Sequence, residues 1–295
     1  MSEFESLFPD VESVRLALSK VGYLSDLGLA TALFCAVRMG LPLLLEGEPG
    51  VGKTEAGKAL SQILDTQLVR LQCYEGINSS EAVYEWNYSR QLLSIRLAEH
   101  KGSNLVEQDL FSEEFLIERP ILKVIRHRGP RPAVLLIDEV DRSDDEFEAF
   151  LLELLGEGTV TVPELGTFKG EYPPIVILTS NRTRDLHDAL KRRCMYHWID
   201  YPSTAQAVEI LRIRVKSASI PLITQVARSV NKIRGINHLQ KLPGIAEAIN
   251  WVNALHLLEI AEITDVRVPS TLGFLLKYRE DQEIVASEWE KVIGN

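Results

Sequence analysis

Apolar residues Val11, Val14, Leu18 and Val21 recur at helical spacing, and Gly22-Tyr23 closes that segment. Ser25 or Asp26 can cap a second helix that reaches about Met39, where Gly40 and Pro42 stop it. This second helix is apolar almost all round, which predicts burial. The pattern then alternates between short apolar runs and periodic segments. Leu41 to Glu46, Leu68 to Gln72, Ala133 to Asp138, Ile175 to Thr179 and Tyr196 to Asp200 read as strands. Lys53 to Leu64 reads as a helix with Ala56, Ala59, Leu60, Ile63 and Leu64 on one face. Ser143 and Glu146 form the pattern of a capping box, for a helix that sets Phe147, Phe150, Leu151, Leu154 and Leu155 on one side. Short apolar strands separated by helices predict a parallel sheet covered on both faces. Beyond Tyr201-Pro202 no strand pattern remains. Helices are expected there at Thr204 to Ser217, Pro221 to Ile233, Pro243 to Ile260 and Ser270 to about Ile293. An α/β domain over residues 1–202, including the N-terminal helices, and an all-helical domain over 203–295 are therefore expected.

Composition narrows the classes of function. With 45% hydrophobic and 25% charged residues, the chain is globular rather than disordered or fibrous. Its 32 basic and 42 acidic residues give a formal charge of −10, which argues against a surface built to grip nucleic acid. Cys35, Cys73 and Cys194 lie far apart and form no CxxC, so free thiols in a reducing compartment are expected. His127, His187 and His197 lack metal-ligand spacing. The acidic start of the chain does not read as a signal or transit peptide. The longest apolar stretch, Leu27 to Val37, falls well short of the ~20 residues that span a bilayer. A cytoplasmic protein without membrane insertion is expected.

Gly47-Glu48-Pro49-Gly50-Val51-Gly52-Lys53-Thr54 fits G-x-x-x-x-G-K-[ST], between an expected strand and an expected helix. Its glycines let backbone N–H groups curl around an anion, helped by the dipole of the helix that follows. Lys53 would reach the β- and γ-phosphates, and the Thr54 hydroxyl would ligate Mg²⁺. Leu135-Leu136-Ile137-Asp138-Glu139 is an apolar strand ending in two carboxylates. Phosphoryl transfer asks for a metal and an oriented nucleophile more than for covalent chemistry. Asp138 can hold the magnesium shell, and Glu139 can polarise the attacking water. Asn181, at the end of the next strand, can hold that water or the γ-phosphate. Arg192 and Arg193 follow a short helix, where a fixed guanidinium can reach a neighbour's γ-phosphate.

Five stretches, Leu43 to Thr54, Arg70 to Gly76, Leu136 to Arg142, Leu178 to Arg182 and Asp188 to Cys194, carry a family resemblance. Over about residues 20 to 282 the chain resembles AAA+ ATPases of the MoxR family. Within them it is similar to the accessory ATPase of aerobic carbon monoxide dehydrogenase maturation, the CoxD type. The resemblance implies a P-loop αβα sandwich with a parallel five-stranded sheet in the order 5-1-4-3-2 and a C-terminal helical lid. It implies a ring, usually a hexamer, with ATP bound between subunits. It also implies the roles given above for Lys53, Thr54, Asp138 and Glu139, a sensor at Asn181, a trans-acting arginine at Arg193 and adenine contacts at Tyr23 and Leu24. One departure stands out. The family often opens the third lid helix with an arginine after a proline, whereas here Lys241-Leu242-Pro243 is followed by Gly244. Lys241 is the candidate substitute.

The function implied is an ATP-driven remodeller of a client protein. The CoxD-type likeness points to metallocofactor assembly of a molybdenum hydroxylase, with a von Willebrand factor A domain protein as adaptor. Two other classes stay open: an AAA+ ATPase that remodels nucleic acid, and a nucleotide-gated assembly factor that turns over slowly. Tyr84, Trp86 and Tyr88 alternate, and either pack their own loop or grip a partner chain. Thr159 to Lys169 reads as a hairpin. Lys123, Arg126, Arg128 and Arg131 form a dense basic run, read as a solvated loop or subunit contact, with nucleic-acid contact as the alternative.

Overall fold

The computed structural model describes residues 7–101 and 106–294. In chain order the elements begin with α1 (Val11–Lys20), α2 (Leu27–Met39), β1 (Leu43–Gly47), α3 (Lys53–Ile63) and β2 (Leu68–Gln72). Next come α4 (Ser79–Val83), β3 (Tyr84–Trp86), α5 (Tyr88–Lys101), α6 (Glu107–Leu110), β4 (Leu116–Glu118) and α7 (Pro120–Ile125). They are followed by β5 (Val134–Asp138), α8 (Asp145–Glu157), β6 (Thr159–Val162), β7 (Gly166–Lys169), β8 (Ile175–Ser180), α9 (Asp188–Arg193) and β9 (Met195–Ile199). The last are α10 (Thr204–Arg214), α11 (Ile220–Arg234), α12 (Ile245–Leu257), α13 (Arg279–Ser287) and α14 (Trp289–Ile293).

The chain divides into two compact units. The first takes the segment up to Val14, then Leu27–Glu46 and Gly57–His197. Its centre is a parallel five-stranded sheet in the order β2–β5–β8–β1–β9. Numbered along the chain among themselves and taken from the β9 edge, these strands run 5-1-4-3-2. Every residue of β1 and β5 is buried, as a strand covered on both faces requires. Strand alternation separates the two faces. Leu44, Leu135, Ile137 and Leu178 join Ile121 and Leu122 of α7 and Phe147 and Leu151 of α8 in one core. Leu136 and Ile177 face α3, where Gly57 approaches so closely that a Cβ would lie 3.1 Å from Leu136.

Two small antiparallel sheets belong to the same unit. In one, β3 pairs with β4; in the other, β6 and β7 form the expected hairpin, with Thr159 opposite Lys169. The alternating aromatics divide their roles. Trp86 is buried edge-on against Phe111 at 5.2 Å, while Tyr88 is exposed.

The second unit takes Arg15–Asp26, Gly47–Ala56 and the chain from Trp198. Past β9 it is helical, with no strand among the described residues. Its core closes around Trp251, whose indole N–H donates to the Thr271 hydroxyl at 2.7 Å. The division differs from a single boundary near residue 202, and local packing shows why. Gly22 backs onto Ile213 of α10, and Ile245 N–H donates to the Gly50 carbonyl at 3.0 Å, so two early segments join the late helices.

Three local expectations are corrected. Helix α2 buries one face only, through Leu29, Ala30, Ala32, Leu33 and Ala36, while Leu27 and Met39 are exposed. An apolar residue on the surface is common, so composition alone does not bury a helix. The cap of α8 is Asp144, whose Oδ1 accepts from Phe147 N–H at 2.9 Å. Ser143 instead donates to the Val140 carbonyl at 2.8 Å and closes a 3₁₀ turn over Val140–Arg142. The single helix expected from Ser270 to about Ile293 is a 3₁₀ segment (Val268–Phe274) followed by α13 and α14. Asp281 explains the break: fully buried in the first turn of α13, it accepts N–H bonds from Gln240 at 2.8 Å and Lys241 at 3.2 Å.

Candidate functional site

Strand β1 runs directly into the glycine-rich loop. Gly50 and Gly52 hold φ of +78° and +103°, backbone that glycine adopts without penalty and that lets successive N–H groups converge on an anion. Lys53, the first residue of α3, is buried. Its ammonium donates to the Gly47 and Glu48 carbonyls at 2.7 and 2.8 Å. A buried ammonium held by the loop's own carbonyls suits a site made to receive phosphate. Within the same unit, Tyr23 O–H donates to the Gly52 carbonyl at 3.4 Å. Burial first, then the charges of Asp26 and Glu55, push this phenol above its ordinary range.

The segment that opens α12 touches the loop through bare backbone. A Cβ on Gly244 would lie 2.9 Å from both Gly50 Cα and the Pro49 carbonyl oxygen. No side chain fits at Gly244 without a shift of the loop. Arg234, the last residue of α11, donates from Nε to the Pro243 carbonyl at 2.8 Å and stacks over the Tyr201 ring at 4.3 Å. Lys241 is tied by its backbone N–H to Asp281.

In the first unit, the C-terminal ends of β5 and β8 carry the carboxylates and their partners. Asp138 is 2% exposed. Its Oδ1 accepts the Thr179 hydroxyl, and its Oδ2 accepts both Nε (3.0 Å) and Nη2 of Arg70 on β2. Glu139 leaves the strand in a left-handed conformation, φ +56°, which costs a non-glycine residue about 1–2 kcal/mol. Its backbone N–H donates to Thr179 Oγ1 at 2.9 Å, so one threonine holds the Asp138 carboxylate and the Glu139 backbone. The change of hand turns the Glu139 side chain out of line with Asp138. Its Oε2 accepts from Gln72 Nε2 at 3.1 Å and pairs with Arg142 Nε at 2.9 Å.

Sequence reasoning missed Thr179, Arg70, Gln72 and Arg142. Arg70 and Gln72 did leave a signal, since they are polar at alternate positions of an otherwise apolar strand. A hydroxyl at Thr54 and a carboxylate at Asp138 are hard oxygen donors, which suit magnesium. No group of three or more His, Cys, Asp or Glu among the described residues forms a cage.

The family model for the AAA domain of the dynein-related subfamily matches residues 42–194. The chain belongs to that family. As an AAA domain it is an ATPase by family, and both motifs above lie within the matched residues. Among solved structures, a RuvB variant from Thermotoga maritima superposes on the AAA chain with a TM-score of 0.52 at 16% identity. That match covers 98% of this chain and 81% of the other. A second variant of the same RuvB gives 0.50 at 17% identity, over 97% and 79%. The structure described as the Thermotoga maritima RuvB Holliday junction branch migration motor gives 0.48 at 16%, over 90% and 75%. At such identities the first two likenesses show the fold, an α/β domain with a parallel central sheet. Comparison with curated proteins gives no match.

The remaining expected residues of the AAA chain fall as follows. Asn181 is half-buried, one position past the end of β8. Arg193 is exposed at the end of α9 and donates to the Leu152 carbonyl of α8. Leu24 is half-buried beside Tyr23. In the basic run, Arg126 pairs with Glu113 at 2.8 Å and Glu118 at 3.2 Å, and Arg131 donates to the Leu64 carbonyl at 2.6 Å. Those two guanidiniums serve the protein's own packing. No helix among the described residues is long and apolar enough to cross a membrane.

Proposed function

We propose that this AAA chain is a Mg²⁺-dependent ATPase that hydrolyses ATP to ADP and phosphate and uses the cycle to remodel a client protein. The observation that carries this reading is the divided geometry at the end of β5: Asp138 continues the strand, while Glu139 leaves it in the left-handed region. Two carboxylates with different directions suit two tasks, one toward a metal and one toward water. The backbone of Gly47 to Gly52 would bind the phosphates, and Lys53 would neutralise the β- and γ-oxygens. Thr54 and Asp138 would hold the magnesium, which supplies charge neutralisation on the phosphate oxygens. Glu139 would orient and polarise the attacking water, with Asn181 fixing the water or the γ-phosphate. Tyr23 and Leu24 would hold the adenine.

The finer reading follows the MoxR resemblance: a ring, with six subunits the usual number, in which Arg193 acts in trans on a neighbour's nucleotide. Arg193 uses Nη1 on the Leu152 carbonyl, which leaves other N–H groups of its guanidinium for a phosphate. The client would be a metalloenzyme, with maturation of a molybdenum hydroxylase such as carbon monoxide dehydrogenase as the leading case. A von Willebrand factor A domain protein would be the adaptor, and the cytoplasm the setting. A second reading, a nucleotide-gated assembly factor with slow turnover, is favoured by the two donors that already hold Glu139 Oε2.

The test is a trap. Tagged Glu139→Gln should bind ATP, lose turnover by about 100-fold or more, and retain its complexes through purification from native extract. Recovery of a metalloenzyme subunit or a von Willebrand-type protein, dependent on ATP, supports the remodelling reading. Recovery of nucleic acid instead, lost at moderate salt, overturns it.

A further inference from the structure

Four side chains, two on β2 and two at the end of β5, form one hydrogen-bonded row. Arg70 gives two N–H groups to Asp138 Oδ2, and the same Nη2 reaches Gln72 Oε1. The other end of the Gln72 amide donates to Glu139 Oε2 at 3.1 Å. The row fixes the amide's orientation, because its oxygen can only accept from the guanidinium and its NH₂ can only donate to the carboxylate. Arg70 and Gln72 alternate on β2, so both face the same side, and Gln72 stands opposite Asp138 in the sheet register.

A carboxylate oxygen has two lone pairs. On Asp138 Oδ2 both are taken by Arg70, while Oδ1 accepts Thr179. The guanidinium also places a full positive charge on the group expected to attract a dication. Arg70 is half-exposed and Asp138 almost fully buried, so the arginine can swing away without unfolding anything around it.

We propose that Arg70 is a built-in cation that competes with the divalent metal for Asp138. Its departure loosens Gln72 and thereby weakens one of the two holds on Glu139 Oε2, that of Arg142 remaining, so that metal entry and partial freeing of the water-orienting carboxylate are coupled through β2. This rests on the proposed role of Asp138 as a metal ligand. Arg70 is a positioning residue here, since it acts through Asp138 and Glu139 rather than on substrate.

The experiment is calorimetric titration of Mg²⁺ into the full chain saturated with ADP, which reads metal binding without turnover. Arg70→Gln is expected to bind Mg²⁺ about threefold to tenfold more tightly, the scale of a partly exposed ion pair with two bonds. Unchanged or weaker binding overturns the proposal. Should Arg70→Gln fail to fold, Arg70→Lys keeps the charge but loses one of the two bonds. It should tighten Mg²⁺ about twofold, and no change would count against Arg70. Asp138→Asn separates the two levels. If it leaves Mg²⁺ affinity intact, the metal site itself is misassigned and the ATPase mechanism above falls with it. If it abolishes binding while Arg70→Gln changes nothing, only the competition is wrong.

Discussion

Gly244 occupies a space that admits no side chain. Its would-be Cβ meets loop backbone at 2.9 Å, closer than real Cβ contacts come. Gly244→Ala should therefore cost about 1–3 kcal/mol, the scale of forced overpacking, read as a lower urea midpoint. Gly244→Arg should weaken ADP binding; tighter binding would show that the loop can move aside. Cys73 illustrates a different residue-level effect. Burial first, then the charges of Asp138, Asp141 and Glu139, push its thiol up to about 12 from an ordinary 9.0. The folded chain thus keeps the proton that an unfolded chain releases. Stability should fall as pH rises from about 9 toward 12. At pH 8 the thiol is protonated and inert. Iodoacetamide should leave Cys73 and Cys194, the latter also pushed up to about 12 by burial, unmodified until denaturant is added. Peptide mass spectrometry checks this, and rapid native labelling of Cys73 would refute it.

At the scale of elements, helix starts depend on neighbours as well as on sequence. Ser143 and Glu146 fit a capping box by spacing, but the chain before α8 is already turning in a 3₁₀ segment, and Ser143 closes it. The next residue, Asp144, inherits the cap. Asp144→Ala should then cost about 1 kcal/mol. Glu146→Ala, on the exposed side, should stay within about 0.5 kcal/mol. Equal costs measured by denaturation would restore the capping box. The break between the 3₁₀ segment and α13 was illegible for a related reason. The apolar period continues across it, and only the demand of Gln240 and Lys241 for Asp281 shows where the last helices begin. The strands of the main sheet were legible because each is an apolar run with both faces covered. The segment Tyr84 to Trp86 was not, because it pairs with Leu116 to Glu118, a partner the local pattern does not announce.

For the whole molecule, the same distinction separates the legible part of the site from the rest. The phosphate loop and the Asp138–Glu139 pair are contiguous motifs, each visible in a window of a few residues. Arg70 with Asp138, 68 positions apart, and Tyr196 with Glu46, 150 apart, meet only once the strand order is known. The two hydrophobic cores are equally separate, sharing no member, so they need not melt together. A ligand test exploits this. In Trp86→Phe the remaining tryptophans, Trp198, Trp251 and Trp289, all lie in the unit that holds the phosphate loop. ADP at 100 times its dissociation constant should stabilise that unit by about 2.7 kcal/mol, seen as a higher midpoint of tryptophan fluorescence. Adding Lys53→Ala should remove the shift, because the ammonium now held by the Gly47 and Glu48 carbonyls is the charge that would meet the phosphates. A shift that survives this substitution would mean that ADP binds away from the loop, and would detach the nucleotide from every residue role assigned around it.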